Sequence, residues 1–120
     1  PLPDGIKAFR FGSVSEEMMP KLYSAADVFV TPSLQDNLPN TIAEAMSCGT
    51  PCVGFNVGGI PEMIDHLSNG YVARYQDAAD LAEGIRFVLS HDMREAAHHK
   101  AANAYGETHV AQQYIKLYQA

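Results

Sequence analysis

Basic residues are scarce in this chain. Eight lysines and arginines face fourteen acidic residues, giving a formal charge of −6 with no basic cluster, which argues against a nucleic-acid or anionic-membrane surface. Long hydrophobic runs are missing too: no stretch approaches the roughly 20 apolar residues of a membrane helix. There are two cysteines, Cys48 and Cys52, either side of a Gly-Thr-Pro turn. With no second Cys or His pair at ligand spacing they do not read as a zinc site, and as a residue type usually found inside proteins they read as buried thiols. Reduced thiols point weakly to a cytoplasmic compartment. Neither a GxGxxG fingerprint nor a P-loop is present, so ordinary dinucleotide and P-loop chemistry has no support. Ser33 and Ser47 have no suggestively placed His, so a hydrolase triad has no footing. The chain opens "PLPDG", without an initiator Met or a signal-like segment, and is expected to be a piece of something longer.

What is present fits one compact soluble domain: 120 residues, 47% hydrophobic and 18% charged. "IKAFRFG" alternates as a strand would. In "SVSEEMMPKLYSAA", Ser15 is an expected N-cap, and Pro20 forces the regular helix to begin near Met19 or to kink. "DVFVTPS" reads as a buried strand stopped by Pro32, "NTIAEAMSCG" as a helix capped by Gly49, and "PCVGF" as a strand. "VGGIPEMIDHLSNG" is a glycine turn, a short helix and an Asn-Gly stop, followed by the strand "YVARY". Asp77 is the expected N-cap of a helix with Leu81, Ile85 and Val88 on one face. Two more helices are expected, from about Met93 to Tyr105 and from Thr108 to Tyr118. Strands alternating with helices define an α/β fold with a Rossmann-like parallel sheet and flanking helices.

Ligands of open parallel sheets bind beyond the carboxyl ends of the strands. The loop after "DVFVTPS" holds Gln35, Asp36, Asn37, Pro39 and Asn40, and the helix that follows points its first N–H groups back at that crevice. In the helix, Ile42, Ala45, Met46 and Gly49 recur at core spacing, which turns Glu44 to another side, on a stripe with Thr41 and Ser47 or Cys48. Asp36 and Glu44, eight positions apart, could line one cleft. On spacing alone, two solvated carboxylates outweigh that reading. Gly58 and Gly59 permit close backbone approach, and Glu62 reads as a helix-dipole partner. His91, Glu95, His98 and His99 lack enough further ligands for a metal and read as a solvated helix face. Tyr114 and Tyr118 read as core aromatics.

The run from Ala26 to about Val72, "ADVFVTPSLQDNLPNTIAEAMSCGTPCVGFNVGGIPEMIDHLSNGYV", resembles the carboxy-terminal domain of the group 1 (family four) retaining glycosyltransferases, which have the GT-B fold. Members carry an acid, seven residues, then Glu-Ala-Met-x-x-Gly-x-Pro-Val-Val, a Gly-Gly-x-x-Glu and an Asn-Gly. "FGSVSEEMMPKLYSAAD" before it and the helical tail after it are also family-like. The resemblance implies that Glu44 binds the ribose hydroxyls of a nucleotide-sugar donor. Asp36 would lie near the donor sugar as the candidate catalytic carboxylate, Asn37 to Asn40 would meet sugar and diphosphate, and Gly12 to Val14 would pack near the base. The family's first acid is usually Glu, so Asp36 is one methylene shorter. Its usual Gly-Phe-Gly is replaced by Asn37-Leu38-Pro39, an "LPN" variant.

The resemblance further implies a UDP- or GDP-linked donor as substrate, with no cofactor and no metal. Residues 1–120, including the helices from about 93, would be an incomplete carboxy-terminal domain. The acceptor-binding amino-terminal domain, the basic pair for the diphosphate and the first two strands are not in the chain. Its parent would work in the cytoplasm in polysaccharide or glycolipid synthesis, open to peripheral association with the inner face of the membrane. Two other readings compete: a GT-B sugar-nucleotide epimerase, whose signatures are not visible, and a non-catalytic α/β interaction domain. A receiver-like module would want an acidic pair after an early strand and a lysine after a late one, and neither occurs. The isolated chain is expected to lack transferase activity and to rearrange or dimerise over its open sheet edges. Sizing at several concentrations checks this, and a dilution-stable monomer with native strand order would overturn it.

Overall fold

The computed structural model describes residues 17–32 and 40–105, together with Lys7 and Ser15. The expected strand "IKAFRFG", apart from Lys7, and the expected helix from Thr108 to Tyr118 lie outside the described residues. Within them the order is α1 (Met19–Ala25), β1 (Phe29–Thr31), α2 (Asn40–Ser47), β2 (Cys52–Phe55), α3 (Ile60–Met63), β3 (Gly70–Ala73), α4 (Ala78–Leu89) and α5 (Arg94–Tyr105). The three strands are parallel in the order β1-β2-β3. Val30 sits opposite Val53, and Val53 opposite Tyr71. This is the expected α/β, Rossmann-like pattern.

Both faces of the short strands are covered. Phe29, Cys52 and Val72 point to one face, into a core with Tyr23, Ile42, Ala45, Met46, Ile60 and Ile64 from α1, α2 and the α3 region. Val28, Val30, Val53 and Tyr71 point to the other and meet Leu81, Ile85, Phe87 and Val88 of α4. The alternation follows from the two-residue period of an extended chain. Helix α4 comes very close to the sheet at Gly84: a Cβ there would lie 2.4 Å from the Tyr71 ring.

Helix ends explain most of the boundaries. Pro20 occupies the first turn of α1, where a missing N–H has no intrahelical partner to lose. Ser15 is not its N-cap. Met18 holds that position without a side-chain cap, and Ser15 instead accepts the Met18 N–H through Oγ (3.3 Å) and carbonyl (3.1 Å), closing the preceding turn. Gly49 ends α2 at φ 75°, with its N–H on the Met46 carbonyl and the Thr50 N–H on that of Ala45, both at 2.9 Å. This is a Schellman closure, which favours glycine in the left-handed position. Asp77 caps α4, its carboxylate accepting the Asp80 N–H at 2.9 Å.

Helix α5 packs on α2 through small residues, Ala97 and Ala101 against Ala45 and Met46. This corrects the expectation of a solvated histidine face. His98 is only 9% exposed, and its Nδ1 lies 3.2 Å from the Ser47 carbonyl. His91 and His99 are exposed. Among the described residues no group of three His, Cys, Asp or Glu could hold a metal, and no helix is long and apolar enough to cross a membrane.

The outer side of β3, away from β2, is occupied by local groups. The Leu67 N–H donates to the Gly70 carbonyl (2.8 Å), the Val72 N–H to Nδ1 of His66 (3.0 Å), and the Arg74 N–H to Oδ2 of Asp80 (2.7 Å). The Tyr71 hydroxyl donates to Oδ1 of Asp80 at 2.7 Å. These bonds to the ionised form, first the Arg74 N–H and then Tyr71, hold the Asp80 carboxyl below its ordinary range; the bond to Asp80 in turn raises the Tyr71 phenol.

Leu67 stands at φ 69° and is 49% exposed, so it meets the steric cost of the left-handed region with little burial in return. Leu67→Gly is expected to stabilise the chain by about 0.5–1 kcal/mol, the relief being partly offset by a looser unfolded chain. Gly70→Ala should destabilise it by about 3 kcal/mol, because the new Cβ would fall 2.2 Å from the Cys52 carbonyl oxygen. Urea titration reads both; equal midpoints for the two variants would refute the account.

Candidate functional site

Because the strands are parallel, Thr31, Phe55 and Ala73 end on the same side of the sheet, and α2 starts there. Asn40 is the first residue of α2. Of the other expected site residues, Gly12, Val14, Asp36, Asn37, Leu38 and Pro39 lie outside the described residues. The structure therefore places Glu44 and the start of its helix.

Glu44 lies one turn into α2 and is half-buried, while Ile42, Ala45, Met46 and Gly49 are fully packed, as their spacing predicts. Its expected neighbours on the helix surface divide. Thr41 is exposed, but Ser47 and Cys48 are buried. The periodicity shows where the sheet lies but not that α1 and α5 also cover the C-terminal half of α2, so the open stripe is confined to its first turns. The Ser47 hydroxyl is spent on the Ala43 carbonyl (2.7 Å), which removes it as a nucleophile.

Two backbone features shape this end of the sheet, the second at a glycine that the sequence singles out. The Asn56 N–H donates to the Ala73 carbonyl at 2.8 Å, joining the last residues of β2 and β3, and its side chain is exposed. Gly58 then takes φ 56° in a turn closed from the Ile60 N–H to the Val57 carbonyl. Glu62 is exposed in the first turn of α3, in keeping with a dipole partner.

Two cavities lie elsewhere. One of about 500 Å³ at the outer flank of β3 is lined by Asn56, Pro61, Ile64, Asp65, His66 and Val72. Another of about 280 Å³ lies at the amino ends of the strands, among Asp27, Pro51, Val88, Asp92, Met93 and Arg94. Neither is lined by Glu44.

Both cysteines are buried thiols. Burial pushes Cys48 up to about 11 against a smaller opposing bond from Ser24, with the Glu44 charge adding to the rise. Burial alone raises Cys52 further. Neither is a nucleophile at neutral pH.

Comparison with known proteins assigns the class. Residues 4–91 match the family described as "Glycosyl transferases group 1". The chain belongs to this family. It is 29% identical over 108 residues to N-acetyl-alpha-D-glucosaminyl L-malate synthase of Bacillus anthracis, covering 86% of this chain and 28% of that protein. It is 33% identical over 102 residues to the N,N'-diacetylbacillosaminyl-diphospho-undecaprenol alpha-1,3-N-acetylgalactosaminyltransferase of Campylobacter jejuni, covering 82% of this chain and 27% of that one. Sucrose-phosphate synthase from Thermosynechococcus elongatus superposes with a TM-score of 0.74 at 29% identity, over 91% of this chain and 29% of that structure. The chain thus spans less than a third of the length of these relatives.

In the folded chain at pH 8, neither Cys48 nor Cys52 is expected to react with a thiol reagent on the time of mixing, and both should react after denaturation. Rapid titration of one thiol in the native protein would contradict the packing.

Proposed function

We propose that the chain is the donor-binding part of a family-four, GT-B glycosyltransferase that moves a sugar from a UDP- or GDP-linked donor to an acceptor with retention. The observation that carries the reading is the placement of Glu44. It lies half-buried in the first turns of a helix that starts at the carboxyl end of β1, inside the stretch that matches the family.

The chemistry suits that place. A carboxylate accepts hydrogen bonds only, so Glu44 can take both vicinal hydroxyls of a ribose. The amino end of α2 offers backbone N–H groups and partial positive charge to a diphosphate, and stabilises it more as it departs and gains charge. The loop from Asp36 to Asn40 would position sugar and diphosphate, with Asp36 facing the reacting carbon, and Gly12 to Val14 would pack near the base. No step in this scheme is assigned to a metal. The acceptor would be held by an amino-terminal domain outside the chain, in polysaccharide or glycolipid synthesis at the cytoplasmic side of a membrane. The names of the Bacillus and Campylobacter relatives support a glycoconjugate setting.

Calorimetric titration with UDP and with GDP tests the assignment. One of them should bind saturably, and Glu44→Ala should weaken it about 10- to 100-fold, the loss of hydrogen bonds to a charged group. In the parent enzyme the same change should lower turnover. Equal affinity in wild type and Glu44→Ala would remove Glu44 from the site.

A further inference from the structure

We propose that His66 is a pH-dependent latch on the outer edge of the sheet: its neutral ring closes the edge at Val72 and its protonated ring opens it. A strand edge with open N–H groups is a template for unwanted pairing, and proteins cover it. Here β3 ends the described sheet, and its outward groups at Gly70, Val72 and Arg74 are taken by Leu67, His66 and Asp80.

Of these three closures only one is accepted by a group that protonation turns from acceptor into donor. The Leu67–Gly70 bond joins two backbone groups that do not titrate. Asp80 is held ionised below the ordinary carboxylate range by the Arg74 N–H and the Tyr71 hydroxyl. The third is accepted by an imidazole. For Nδ1 to accept from Val72, the ring proton must sit on Nε2. An imidazolium carries a proton on both nitrogens, so two donors would face each other across the 3.0 Å now spanned by the bond, and the ring must turn away.

The surroundings give it somewhere to go. His66 forms one wall of the 500 Å³ cavity that it shares with Asn56, Pro61, Ile64, Asp65 and Val72. His66 is exposed, and its ring meets Tyr71 edge-on, 4.6 Å between centroids. The charged groups around it come from four places. Asp80 on α4 is close enough for its carboxylate to be stabilised by a His66 charge. Asp65 is adjacent in the chain and is paired with Lys100 of α5 at 3.2 Å. Arg74, at the end of β3, lies 3.7 Å from Asp80. A turned ring can still approach Asp65 or Asp80, whereas in its present place it can only confront Val72.

Amide hydrogen exchange of the full 120-residue chain, followed by NMR at pH 7.5 and 5.5 and divided by the intrinsic exchange rates, reads the latch directly. Protection of the Val72 amide should fall at least tenfold in acid while Val53 and Phe55 in the central strand keep theirs. In His66→Asn the side-chain oxygen can accept without titrating, so Val72 protection should be the same at both pH values. Unchanged wild-type protection, or an equal fall in His66→Asn, would overturn the proposal; the wild-type comparison decides even if the variant does not fold.

Discussion

The guanidinium of Arg94 lies where α1 and α2 both end. Its Nη2 donates to the Ala26 carbonyl at 2.7 Å and approaches Asp27 at 3.4 Å, and its Nη1 reaches the Gly49 carbonyl at 3.4 Å. Beside it the Thr50 hydroxyl donates to the Tyr23 carbonyl, fully buried. Helix C-termini leave carbonyls without intrahelical partners and carry partial negative charge, so a cation and a hydroxyl are what such a junction needs. Joined in this way at the amino ends of β1 and β2, α2 can run only one way along the sheet. Its opposite end, with Asn40 and Glu44, is delivered to the carboxyl ends of the strands. The candidate site thus depends on contacts at the other side of the domain.

The sequence pattern revealed what local physics determines. Gly49, Pro32, Pro20 and Asp77 marked helix and strand ends because each acts through its own backbone or through a residue three positions away. The core face of α2 followed from helical periodicity alone. Ser15 was misread locally, since it closes a turn one step before the helix, but two other misreadings share a distant cause. Ser47 and His98 meet across helices some fifty residues apart, and a window of ten or fifteen residues carries no sign of that partner. An α5 interface made of alanines is especially hard to see, since alanine has no strong preference for inside or outside.

The site itself divides in the same manner. Glu44 stood out because periodicity turned it from the core while the surrounding motif matched a family, and its half-buried place agrees with the periodicity. The bond from Asn56 that joins the ends of β2 and β3 left no trace in the pattern, because any residue except proline could supply its N–H. The positive φ of Leu67 was equally invisible, since a leucine in that conformation is chosen by the turn around it and not by its own preferences. The edge-covering role of His66 depends on a hydrogen bond from a strand that begins four residues later, geometry that spacing does not encode.

Gly84 fixes the thickness of the domain on the α4 side. With no side chain between them, the helix backbone rests directly on the Tyr71 ring, and the separation of helix and sheet is set by one aromatic ring in place of two interdigitating side chains. The same ring carries the hydroxyl bound to Asp80 near the start of α4. Tyr71 is therefore at once a spacer and a tether. It sets how near the helix can come and, through the bond at its far end, resists a slide of α4 along its axis.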